Sequence, residues 1–80
     1  MVNTQVLDSK ISDSGLKVGF ICERLGISRQ AFNEKKKNVY PFRASEVFVI
    51  CTLLGIDESD KKDIFFASEV HEKVNGDLNG

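Results

Sequence analysis

The stretch LKVGFICERLGISRQAFNEKKKN, residues 16–38, decides the fold of this 80-residue chain. It holds two short helical patterns that meet at a tight turn. In that turn Gly26 suits the left-handed conformation that ends a helix, and Ser28 suits the N-cap of the next helix. Cys22 provides a small residue where the two helices cross. The apolar residues whose spacing locks the helices together are Ile21, Leu25, Ile27 and Phe32. This pattern predicts a helix-turn-helix.

Helical periodicity extends to both sides of this stretch, and no segment has the alternating pattern of a strand. We predict helices at about 4–14, 17–25, 29–37, 44–54 and 58–74, with N-caps at Asn3, Ser28 and Asp57. The chain is thus expected to be an all-α, compact five-helix domain over residues 1–74, with the helix-turn-helix formed by helices two and three. A disordered tail is expected at residues 75–80.

Two of these helices are rich in apolar residues. The second turns an apolar stripe inward, namely Phe20, Ile21 and Leu25. The fourth is apolar on most sides, through Val47, Phe48, Ile50, Cys51 and Leu54.

Residues 16–38 and the segment ASEVFVICTLLGI at residues 44–56 together resemble the Cro/repressor-type helix-turn-helix family. These are xenobiotic-response-element-like transcriptional regulators of phages and bacteria, and about 55 residues take part in the resemblance. Two positions depart from the family pattern. Val18 stands where a phosphate-bracing Gln is usual, and Lys35 stands where an aliphatic residue is usual. At the second of these positions we expect the end of the third helix to be shorter or looser, with Val39 or Tyr40 filling the gap.

Taken alone, the polar side chains of the third helix are typical of an ordinary solvated face. The resemblance implies instead that Arg29, Gln30 and Asn33 contact base edges in the major groove of double-stranded DNA. Glu34 is a fourth base-reading candidate, which can either accept a hydrogen bond from cytosine or repel nearby phosphate.

The charge distribution also points to nucleic acid, although the formal net charge is only −1. Residues 29–43 carry five basic side chains against one acidic, whereas residues 57–77 carry seven acidic side chains against three basic. Candidate phosphate-binding residues are Lys17, Lys35, Lys36, Lys37, Asn38 and Arg43. The three lysines have a second interpretation, because basic residues at the end of a helix complement its dipole.

The fifth helix carries apolar residues every four positions, at Phe66, Val70 and Val74. Such a stripe either closes the domain's own core or forms a dimer interface. We expect a homodimer, because one domain of this kind reads few base pairs and a two-fold pair can read two half-sites.

Other classes of function find little support in the sequence. Cys22 and Cys51 are isolated, so they predict buried, reduced thiols rather than a zinc site or a disulfide. His71 is the only histidine and has no catalytic partner nearby, so we expect no enzyme, no metal, no cofactor and no small-molecule ligand. Without an apolar run of about 20 residues or a signal peptide, we expect a cytoplasmic, nucleoid-associated protein with no membrane partner.

The sequence therefore favours a sequence-specific DNA-binding regulator, a phage or prophage repressor that acts by occupying its operator. The alternative is a protein-interaction module, such as an antitoxin-like or phage accessory factor, that keeps the helix-turn-helix fold. The departures at Val18 and Lys35 and the negative net charge motivate this alternative.

Overall fold

The helices alternate with short turns throughout residues 1–66, which are the residues that the computed structural model describes. They are α1 Thr4–Ser14, α2 Val18–Leu25, α3 Arg29–Lys36, α4 Ala44–Leu54 and α5 Glu58–Phe65. No strand occurs among these residues, and α2 packs against both α3 and α4. The predicted all-α, five-helix fold is confirmed. A search of residues 1–66 for a helix that could span a membrane finds none. Val70, Val74 and the tail at residues 75–80 lie outside the described residues.

Local sequence explains where the helices begin and end. The side chains of Asn3, Ser28 and Asp57 each accept a hydrogen bond from the backbone N–H three residues later, as predicted for N-caps. Gly26 ends α2 with φ 71°, a left-handed conformation that costs glycine nothing because it has no Cβ. The helix-turn-helix is therefore specified by its own residues at the turn.

The core draws on every helix. One side chain from each is fully buried, namely Leu7, Ile21, Phe32, Ile50 and Ile64 in chain order. Phe42, in the loop before α4, makes edge-to-face contacts with the rings of Phe32 and Phe65, at centroid distances of 6.0 and 5.7 Å. These contacts tie α3 to the end of α5.

Two apolar residues, Phe20 and Cys51, do not lie where the sequence predicted, and Phe48 is exposed on a helix that is apolar on most sides. Phe20 is 43% exposed because Ile21 and Cys22 occupy the inward side of α2. Phe48 is 71% exposed, since Val47 and Ile50 turn the opposite side of α4 inward. The predicted burial holds for Cys22 but not for Cys51, which is only half-buried; both are free thiols.

The first residues of the chain hold the end of α3. The backbone N–H of Val2 donates to the Asn38 side chain at 2.6 Å, and the Asn38 amide donates back to the Val2 carbonyl at 3.0 Å. Thr4 donates its hydroxyl to the Lys36 carbonyl at 2.5 Å. The N–H of Asn3 donates to the carbonyl of Ile64. The N-terminal segment thus links the end of α3 to α5.

Candidate nucleic-acid interface

The third helix is fixed along its inner side and at both ends. Phe32 is fully buried, and the hydroxyl of Ser28 accepts from the backbone N–H of Ala31 at 3.1 Å. At the other end, Asn38 adopts φ 66°, which asparagine tolerates better than most residues. Because the inner side is anchored, the outer side of α3 has a defined direction.

Arg29, Gln30 and Asn33 are all exposed on that outer side, and we call them the reading face. Asn33 lies four residues after Arg29 and three after Gln30, so the three side chains are neighbours on the helix surface. Arg29 has no hydrogen-bond or ion-pair partner within residues 1–66. Glu34, the fourth predicted base-reading residue, is half-buried at the margin of this face.

Lys35 does not point to solvent. Its ammonium donates to both carboxylate oxygens of Glu46 on α4, at 2.7 and 2.8 Å. The two side chains are only 15% and 9% exposed. The prediction that Val39 or Tyr40 fills the space beside Lys35 is wrong, because both are more than half exposed. Lys35 and its ion pair with Glu46 instead take the place of the aliphatic side chain that the family pattern has at this position.

Glu46 is the one buried charged residue among those described, and its hydrogen bonds explain its ionisation. Burial by itself would raise the pKa of this carboxyl. The hydrogen bonds from Lys35 and from the backbone N–H of Arg43, with the positive charges of both residues, hold the pKa below its ordinary value. Glu46 therefore stays a carboxylate and joins the end of α3 to the beginning of α4.

Two more of the predicted phosphate-binding residues take part in the domain's own contacts. The ammonium of Lys36 pairs with Asp8 on α1 at 2.6 Å and lies 5.5 Å from the centre of the Phe32 ring. The amide of Asn38 is hydrogen-bonded to Val2. Both side chains therefore contribute to the fold, and their polar groups already have partners within the domain.

The other predicted phosphate-binding residues are exposed. Lys17 is the N-cap of α2, Lys37 is the C-cap of α3, and Arg43 is the N-cap of α4. We call these three residues the basic rim. Unlike Lys35 and Lys36, none of the three forms an ion pair within residues 1–66, although the charge of Arg43 also acts on Glu46.

Phe66 is half-buried and packs against the core, while Val70 and Val74 lie outside the described residues. The predicted dimer interface on this stripe stays a prediction.

Burial raises the pKa of both cysteine thiols. Nearby positive charges, of Arg29 and Lys36 at Cys22 and of Lys61 at Cys51, only partly offset this rise. Within residues 1–66, no three His, Cys, Asp or Glu side chains are grouped so that they can hold a metal ion.

Two features of the site were not predicted from the sequence. The Lys35–Glu46 pair had a signal, because Glu46 is the lone charged residue in an otherwise uncharged helix and lies three positions after its N-cap. The contact of Arg29 with α2 at Gly19 had no signal in the sequence, since only the packing of α2 and α3 brings these residues together.

The chain matches no known protein-family model, no curated protein and no solved structure.

Proposed function

We propose that this chain is a sequence-specific, double-stranded DNA-binding transcriptional regulator of the Cro/repressor type. The observation that carries the proposal is the reading face. Arg29, Gln30 and Asn33 are exposed neighbours on the surface of α3, a helix that the buried Phe32 anchors to the core. A rigid helix with hydrogen-bonding side chains on one exposed side has the form that fits the major groove.

The proposed mechanism separates reading from attraction. Arg29 can make a bidentate pair with guanine, and Gln30 and Asn33 can pair with adenine. The basic rim supplies sequence-independent attraction to phosphate. A homodimer would place two reading faces on half-sites about one helical turn apart and would block transcription by occupying the operator, as expected of a phage or prophage repressor in the cytoplasm.

Selection of bound duplexes from a random pool tests this proposal directly. We expect a consensus of two inverted half-sites, which reports sequence specificity and dimerisation together. If no sequence is enriched, and if random duplex fails to bind even at low salt, the proposal is wrong.

Variants then separate the two kinds of contact. Arg29→Ala should weaken binding to the selected duplex by about 1–3 kcal/mol and relax the preference at one base pair. Lys37→Ala should weaken all duplexes alike and reduce the salt slope by about one unit. Lys62→Ala, an exposed lysine on α5, is the matched control and should change neither quantity. Equal losses on selected and scrambled duplex for Arg29→Ala would contradict base reading.

A protein-interaction module is the second candidate, and the exposed side of α4 favours it. This side carries no charge: Ala44, Ser45, Phe48 and Thr52 are all exposed, and Phe48 is 71% exposed. Aromatic side chains such as Phe48 are enriched at protein–protein interfaces and charged side chains are depleted at their centres, which fits this face. If the chain does not bind DNA, or binds it with an affinity that does not depend on salt, this candidate is favoured over a repressor.

A further inference from the structure

Gly19 differs from the other three glycines within residues 1–66. Gly15, Gly26 and Gly55 end helices with φ between 66° and 73°, and a Cβ added to any of them would meet nothing within 4 Å. Gly19 lies inside α2 without a left-handed φ, so its backbone does not require glycine. Glycine is also a poorer helix former than alanine. Its presence in this short helix calls for a reason outside the backbone.

The space above Gly19 is occupied by the side chain of Arg29. A Cβ built on Gly19 would lie 2.8 Å from Nη2 of Arg29, closer than real Cβ atoms approach. The next nearest atoms, Cζ and Nε at 3.7 Å, belong to the same guanidinium. The glycine therefore makes room for one particular group, which is the first member of the reading face.

We infer that Gly19 is a specificity-determining residue, which lets the Arg29 guanidinium lie against α2 in the position from which it reads DNA. This inference rests on the proposed function. Arg29 has no ion-pair partner within residues 1–66, so its place against α2 uses none of its charged donors. A side chain that already lies near its binding position reorganises less when it binds, and its donors stay available for a base.

A methyl group at position 19 should displace the guanidinium without harming the fold. The atoms in its way are the far end of a flexible, exposed side chain, and alanine favours the helical conformation. For Gly19→Ala we expect an unchanged or higher melting temperature and about tenfold weaker binding to the selected duplex, which is within the range of one base contact. Binding to random duplex and its salt slope should stay the same, because Gly19→Ala removes no charge.

The experiment measures fluorescence anisotropy of labelled duplexes with the full chain as native protein, Gly19→Ala, Arg29→Ala and the double variant. If Gly19 acts through Arg29, the double variant binds no more weakly than Arg29→Ala alone. Ser12→Ala, an exposed position on α1, is the matched control and should bind as the native chain does. The ¹⁵N-detected Nε–H resonance of Arg29 in free Gly19→Ala should move, which reports the displacement without DNA.

Two outcomes would overturn the inference. One is a Gly19→Ala chain that keeps the native affinity and base preference. The other is a lowered melting temperature, which would assign Gly19 to the fold rather than to Arg29. Failure of the native chain to bind any duplex would instead refute the proposed function, and the Arg29 resonance would still report whether Gly19 positions the guanidinium.

Discussion

Replacing Lys35 with methionine should reveal how strongly the ion pair with Glu46 holds α3 to α4. Methionine keeps the length and volume of the lysine stem but leaves the Glu46 carboxylate with one described hydrogen bond, from the backbone N–H of Arg43. Losing one partner of a well-buried pair costs about 3–5 kcal/mol. We expect about 2–3 kcal/mol at pH 7, because the side chains keep 15% and 9% of their exposure. An 80-residue domain has only about 4–12 kcal/mol to lose.

The protonation of Glu46 sets a ceiling on this cost and gives it a pH dependence. The ceiling is the free energy of protonating an ordinary glutamate at pH 7, because the variant can always fold with Glu46 protonated; at 1.36 kcal/mol per pH unit above a pKa of roughly 4.3 this is about 3.7 kcal/mol. The native pKa is lowered, so the native pair contributes stability above the ordinary pKa and loses it as pH falls through the lowered value. In Lys35→Met, burial dominates and raises the pKa, so the variant gains stability as pH falls toward 4.3.

Urea unfolding followed by circular dichroism at pH 7 and pH 4.5 measures both effects. The deficit of Lys35→Met should shrink by more than half at the lower pH. Adding Glu46→Gln should restore most of the stability at pH 7, since it removes the unpaired charge and keeps an oxygen for the Arg43 N–H. Lys61→Met is the matched control. Its ammonium lies 3.8 Å from a carboxylate oxygen of Glu58, whose side chain is 84% exposed, so this substitution should cost under about 1 kcal/mol. A Lys35→Met loss no larger than this control, or a deficit independent of pH, would refute the reasoning.

Four further measurements follow from the same contacts. Binding to random duplex should show a salt slope of about −3 per protomer, from the three basic-rim residues at about −0.9 each; a slope near −5 would mean that Lys35 and Lys36 leave their partners. Ser28→Ala should lower the free energy of unfolding by about 1 kcal/mol in urea titrations, through loss of the α3 N-cap. Phe48→Ser should leave the melting temperature nearly unchanged, because this ring is mostly exposed; a large drop would mean that the ring is buried against something. A thiol reagent should label Cys51 well before Cys22, which is 4% exposed; equal rates would contradict their different burial.

The starts of α1, α3 and α5 were predictable from the sequence because local chemistry decides them, but α5 ends at Phe65 and not near the predicted residue 74. Each of the residues Asn3, Ser28 and Asp57 caps the helix that follows it with its own side chain. Gly26 adopts its positive φ without a distant contact. The fully buried Phe32 was likewise predictable from its place on the inner side of α3. The exposure of Gln30 followed from the same helical phase, because it lies nearly opposite Phe32, whereas the exposure of Arg29, three residues before Phe32, did not.

Contacts between helices were not predictable in the same way. Lys35 and Glu46 are 11 residues apart, and Arg29 reaches Gly19 across the turn between α2 and α3. Glu46 stands out as the lone charged residue of α4, but no local pattern identifies Lys35 as its partner, and Gly19 is marked only as small. Whether a lysine meets a carboxylate or solvent depends on the angle at which two helices pack, and a single sequence does not contain that angle in any local pattern.

The three consecutive lysines show what helical geometry does to a cluster of charge. Successive residues of a helix point about 100° apart, so three neighbours cannot share one surface. Lys35 turns toward α4 and Glu46, Lys36 turns toward α1 and Asp8, and Lys37 remains exposed at the C-cap. Two of the three charges are therefore neutralised within the domain, where they fix α3 against its neighbours. The positive charge that a polyanion would meet is smaller than the sequence suggests, and base recognition must supply more of the proposed affinity.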